Sequence, residues 1–224
     1  MILSGSKQQV GEERQTRIVI AALAVFSKTS FGDATTEEIA RRAHVSKRDI
    51  YAVFPDKHAI LAAAIEMVLQ AGDENLRRVI LDSQRDLASP REALEIIGLT
   101  LVSEILSPSS GFVFRLASSE SVEQPAIGAT YFEKWYTRRS RAIAQFFSKD
   151  LSKTTGKTGR SFDASLASKQ FLGLITQLPQ LTTCIGMLDM WSPKSAQAHV
   201  RSSVECFLKA YPGLASKSRP STYA

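Results

Sequence analysis

The stretch from Thr35 to Lys57 constrains this 224-residue chain more than any other. It reads as two short helices joined by a tight turn. Thr35 or Thr36 caps the first, with Glu37 and Glu38 in the opening turn, where acids suit the helix dipole. His44 stands where a left-handed residue closes that helix, a conformation that His tolerates better than most side chains. Ser46 caps the second helix and Pro55 stops it. On a helical wheel from Ser46 to Phe54, Ile50, Val53 and Phe54 fall on one side. Arg48 and Ala52 point the opposite way, Lys47 and Tyr51 lie on one flank, and Asp49 on the other. An apolar inner side with two cations and a tyrosine outside suits a DNA major groove. An ordinary amphipathic helix with a solvated charged face is the competing reading.

Residues Arg17 to Leu61, about 45 in one ungapped block, resemble the DNA-binding domain of the TetR family of bacterial transcriptional regulators. The residues that carry the resemblance are Ala21-Ala22, Phe26, Phe31, Thr35, Ile39-Ala40, Ala43, Val45-Ser46-Lys47, Ile50-Tyr51, Phe54 and Lys57. Ser30 and His44 stand where the family often has Gly. Ala52-Val53 replaces a pair that is commonly Tyr-His or Arg-Tyr and touches phosphate. The resemblance implies a homodimer, a ligand-regulated C-terminal domain and, usually, repression of nearby genes. The expected DNA contacts are Thr35, Thr36, Ser46, Lys47, Arg48, Asp49, Tyr51, Ala52 and Lys57. Arg48 is expected on a base edge with Lys47 assisting, and Tyr51, Lys57 and the helix start at Thr35-Thr36 on phosphates. Asp49 either accepts from cytosine N4 or orients Arg48. The alternative is a helical small-molecule or protein-binding module with a weakened DNA-reading surface.

Composition adds bounds rather than identity. A 44% hydrophobic chain of this length buries a real core, and its net charge of +6 fits a polyanion partner. Residues 1–61 hold nine Lys and Arg against seven Asp and Glu, so the basic excess is not gathered in the DNA-binding stretch. That favours a few placed contacts over coating. Cys184 and Cys206 are the only cysteines, expected as reduced, buried thiols in a cytoplasmic protein. No secretory signal and no apolar run of membrane-spanning length appear, so no membrane partner is expected.

Helical periodicity extends along the whole chain and predicts an all-α fold of about nine helices. Residues 1–16 read as a flexible arm, 17–56 as the helix-turn-helix domain, 57–215 as a ligand-binding and dimerisation domain, and 216–224 as a disordered tail. Asp56 caps a long fourth helix, with a break expected at Gly72. Ser89-Pro90 starts another helix, Ser107 to Gly111 forms a turn, and Ala126 to Lys149 forms one long helix. Ser148 to Ser161 reads as an exposed loop. Together with Lys134, Arg138, Arg139 and Arg141 it forms a solvated basic face, or a second nucleic-acid patch. Lys169 to Ile175 resembles the C-terminal domain of an AefR-like branch of the same family.

Two further sites are expected. A dimer interface is placed on the last two helices, at Phe171, Ile175, Leu178, Val200, Val204, Phe207 and Leu208. An apolar, amphipathic or aromatic effector is expected near Phe112, Phe114, Tyr131, Phe132, Trp135, Tyr136 and Gln177, rings with a few polar groups among them. Packing of those rings as plain core competes with this. No catalytic constellation, metal-ligand spacing or cofactor fingerprint stands out, so neither an enzyme nor a bound cofactor is expected.

Overall fold

Short-range hydrogen bonds set the helix ends in this computed structural model, which describes residues 3–86, 89–151 and 163–215. The first four helices are α1 (Leu3–Phe26), α2 (Thr36–Ala43), α3 (Lys47–Tyr51) and α4 (Lys57–Asp86). Thr35 accepts the Glu38 N–H ahead of α2, and His44 closes it at φ 54°, ψ 46° in the left-handed region. Ser46 and Asp49 cap each other's backbone ahead of α3. Asp56 accepts the Ala59 N–H at 2.7 Å where α4 begins. These are the caps expected from residue type.

Next come α5 (Pro90–Ile105), α6 (Pro108–Glu120) and α7 (Pro125–Tyr131). A π-helical segment, Phe132–Thr137, then leads into α8 (Arg138–Leu151). The chain continues through α9 (Ala164–Cys184), a 3-10 turn at Leu188–Met190, α10 (Pro193–Ala210) and α11 (Pro212–Ala215). No strand occurs among the described residues. No single described helix is long and apolar enough to cross a membrane.

Several boundaries differ from those expected. The stretch read as an arm is already helical from Leu3. Its Glu12-Glu13-Arg14-Gln15 run favours helix, so the missing apolar periodicity was no sign of disorder. Gly72 does not break α4. A Cβ there would collide with the Glu104 carboxylate, so the glycine makes room for a neighbour instead. The Ser107–Gly111 turn is mostly the first turn of α6. Both cysteines are free and exposed rather than buried. Most of the expected loop at 148–161, and the tail 216–224, lie outside the described residues.

Contacts divide the chain into two units: Met1–Val68 with Phe112–Phe132, and Leu69–Gly111 with Glu133–Ala224. The first boundary between these units falls inside α4. Ile60, Leu61, Ala64 and Ile65 of α4 are buried and belong to the same unit as the buried Ile18, Ala22, Phe26, Ile39 and Ile50. In the second unit Ile97, Phe147, Phe171, Ile175, Val204 and Phe207 form the centre of one buried cluster. Gly98 lets α5 approach the Val200 and Ile175 side chains, which a Cβ would meet at 2.8 and 3.1 Å.

Pro179 sits inside α9. Proline lacks the N–H that would bond the carbonyl four residues back, that of Ile175. His199 Nε2 lies 2.9 Å from this oxygen and donates to it, repairing the ladder from α10.

Candidate nucleic-acid interface

The structure holds α3 on its inner side through Ile50 and Phe54, both buried, and turns Tyr51 outward at 48% exposure. Arg48 is exposed and makes no side-chain hydrogen bond or ion pair among the described residues. Lys47 pairs with Glu37 of α2 and sits 5.9 Å from the Tyr51 ring centre. That pairing holds the Glu37 carboxyl below its ordinary value and raises Lys47. Both side chains are largely solvated, so the pair is weak and exchangeable for a phosphate. Thr36 Oγ1 lies 3.4 Å from Tyr51 Oη, joining the start of α2 to the end of α3. Thr36, Lys47, Arg48 and Tyr51 thus converge on one surface, with Thr35 as the α2 cap and Ala52 exposed after Tyr51.

Three expected DNA contacts are committed elsewhere. Ser46 is occupied as the α3 cap. Asp49 accepts from the Ser46 backbone and hydroxyl at 3.0 and 2.6 Å, and from Arg14 at 3.1 Å. The Ser46 hydroxyl is the main reason the Asp49 carboxyl titrates below its ordinary value. Lys57 donates to the carbonyls of Phe31, Gly32 and Ala34 at 2.5, 3.1 and 2.9 Å. Its ammonium has three donors, and all three close the loop between α1 and α2. His58 packs against Phe31 with ring centres 5.0 Å apart and tilted by 45°, and stands 4.0 Å from Glu120.

The expected effector residues are divided between the two units, Phe112, Phe114, Tyr131 and Phe132 in the first and Trp135, Tyr136 and Gln177 in the second. Phe114 and Tyr131 pack with ring centres 5.5 Å apart in the first unit, and Phe132 is 58% exposed. Phe112 is half-buried, as is Tyr136, which packs on the core of the second unit. Trp135 is buried at 3% exposure, with the Arg139 guanidinium 5.3 Å from its ring centre. Gln177 lines a groove of about 630 Å³ on the outer face of α9, with Leu174, Leu178 and Leu181 but none of those rings.

Arg139 was read as part of a solvated face, yet its exposure is only 1%. It bonds Asp73 at 2.8 Å, Glu104 at 2.5 Å, and the Lys134 and Trp135 carbonyls at 3.2 and 3.1 Å. Arg138 stands 3.6 Å from the other Asp73 oxygen. Burial is the main influence on the Glu104 carboxyl and raises it, against the opposing pull of Arg139. The sequence signal that pointed here was Gly72-Asp73 inside an otherwise good helix. Among the described residues no group of three His, Cys, Asp or Glu could hold a metal ion.

The expected dimer residues are nearly all core. Phe171, Ile175, Val200, Val204 and Phe207 are at most 1% exposed and Leu208 is buried, because α5, α8, α9 and α10 cover one another. Leu178 is exposed at 44%.

Comparison with known proteins adds the following. Residues 18–64 match the bacterial regulatory proteins of the tetR family, and residues 92–213 the C-terminal domain of AefR-like transcriptional repressors. The HTH-type transcriptional regulator EthR of Mycobacterium tuberculosis is 22% identical over 135 residues, 59% of this chain and 61% of EthR. The chain therefore spans less than two thirds of that curated relative. A TetR-family regulator of Mesorhizobium loti superposes with a TM-score of 0.80 at 22% identity, covering 89% of this chain and 97% of that one. A transcriptional regulator of Pseudomonas aeruginosa gives 0.71 at 20% identity, over 91% and 94%.

Proposed function

Because the chain belongs to the TetR family of transcriptional regulators, with an AefR-like C-terminal domain, we propose that it represses transcription as a homodimer on operator DNA and that a small-molecule effector releases it. A DNA operator places its work in the cytoplasm. The observation that carries the reading is the surface of Thr36, Lys47, Arg48 and Tyr51, in which Arg48 is exposed and has no partner among the described residues. Arg48 reads a base edge with Lys47 beside it, while Tyr51 and the α2 start at Thr35-Thr36 hold phosphates. A single short helix covers too few base pairs for useful specificity. Two copies on half-sites one turn apart, about 34–36 Å, overcome this.

The outer face of α9 supports the dimer. Leu174, Leu178, Leu181 and Ile185 are exposed large apolar residues at helical spacing, and Gly173 beside them leaves open space. A contiguous apolar face of this kind suits a second copy of itself. The effector is apolar or amphipathic and acts by binding two arrangements of α4 unequally, since only differential affinity shifts an equilibrium. Sequencing the genomic fragments retained by the purified protein tests the whole reading. Recovery of one shared palindrome is the expected result. Fragments no different from random DNA would overturn it.

A further inference from the structure

The second half of α4 and the outer side of α8 leave a groove of about 300 Å³ between them, wholly within the second unit. Ile80, Leu81, Ala142 and Phe146 give it an apolar floor. Arg77, Arg138, Arg141 and Lys149 line it beside that floor, and among the described residues no Asp or Glu lines the groove. Arg77, Arg141 and Lys149 make no side-chain hydrogen bond or ion pair among the described residues. Leu81 is 48% exposed, an apolar side chain left in water among cations. Cations lining a cleft with low-dielectric walls raise the local concentration of anions.

We propose that this groove binds the effector, and that the effector is an anionic amphipath. Its hydrocarbon lies on Ile80, Leu81 and Phe146, and its carboxylate or phosphate head lies among Arg77, Arg138, Arg141 and Lys149. The assignment rests on the effector reading above and gives it a site and a chemical class. Arg138 supplies the link to α4. It stands 3.6 Å from an oxygen of Asp73 that has no hydrogen-bond partner, and Asp73 is a residue of α4. An anion in the groove competes with Asp73 for Arg138. The cluster of Asp73, Glu104 and Arg139 is then left with two acids against one base in a buried place. Asp73 sits sixteen residues along the same helix from Lys57, so the strain arises in the element that begins at the DNA-binding unit.

Calorimetric titration of the full-length protein, without DNA, tests the site. The probes are dodecanoate, dodecyl phosphate and dodecyl maltoside, each below its micelle concentration. Both anions should bind at least tenfold more tightly than the neutral maltoside, and their ratio identifies the preferred head group. Arg141→Glu and Arg77→Glu should each weaken the anions at least tenfold. Lys169→Glu, the same charge change on an exposed residue of α9, should leave binding within twofold. Equal binding of maltoside and anions would overturn the proposal, and so would equal effects of Arg141→Glu and Lys169→Glu. Operator release is measured separately. Groove-dependent binding that leaves the operator complex intact supports the site and overturns the effector reading alone.

Discussion

The ammonium of Lys57 lies 4.5 Å from the centre of the Phe31 ring and donates to the Phe31 carbonyl. A side chain with the position and charge of a phosphate clamp is instead the latch of the loop that leads into α2. Lys57→Ala should therefore cost stability, about 1–3 kcal/mol for charged hydrogen bonds and a cation–π contact. The salt dependence of operator binding should be unchanged. Urea unfolding beside binding at several salt concentrations checks this, and a slope lower by about one unit would mean Lys57 does hold a phosphate.

Arg48→Ala should reduce the preference for operator over random DNA by roughly 1–3 kcal/mol and leave random-sequence affinity nearly unchanged. Tyr51→Phe should weaken both alike. Competition binding with the two DNAs separates the roles. Equal losses for Arg48→Ala on both sequences would make Arg48 a backbone contact.

His199→Ala orphans the Ile175 carbonyl beside Pro179 and should cost about 1–3 kcal/mol. Pro179→Ala in the same protein restores the missing N–H and should recover much of that loss. A double-mutant cycle in urea measures the coupling, and simple additivity would show that the imidazole repairs nothing.

Glu104 titrates above its ordinary value because it is buried. In the window between its folded pKa and its unfolded value of about 4.3, the folded chain holds more protons at this group than the unfolded chain. Its contribution to stability therefore rises as pH falls through that window and is lost as pH climbs past the folded pKa. Relative to Glu104→Gln, the wild-type protein should gain in urea midpoint on going from neutral pH towards the unfolded carboxyl range. A difference independent of pH would contradict the raised value.

Leu178→Arg should yield a folded monomer, because Leu178 is exposed on α9. Val204→Arg should fail to fold, since that residue is fully buried within the chain. Sedimentation velocity and circular dichroism distinguish the two. A Leu178→Arg protein that stays dimeric at micromolar concentration would move the interface elsewhere.

The helix-turn-helix was legible because its information is local. Thr35, His44, Ser46 and Asp56 each act within four residues. The latch made by Lys57 and the Arg14–Asp49 pair were not, because their partners lie 23–26 and 35 residues away. Periodicity showed that α9 and α10 have apolar stripes but not which protein surface covers them. Phe171 and Val204 therefore looked as suitable for a second copy as Leu178. Arg139 was hidden by composition, since one buried guanidinium in a run of four cations looks like its solvated neighbours.

The π-helical segment Phe132–Thr137 acts as a phase shifter. A wheel drawn through 126–149 groups Tyr131, Phe132, Trp135 and Tyr136, yet Phe132 is exposed while Trp135 is buried. One surplus residue in a helical turn rotates everything after it by about 100°. Deleting a single residue between Phe132 and Thr137 would leave composition and charge pattern almost untouched. The wide turn would then close to an ordinary α-helical one, and Arg139 would keep its place against Asp73 and Glu104. A deletion just after Thr137, in ordinary α-helix, has no surplus residue to absorb it and would carry Arg139 off its buried face.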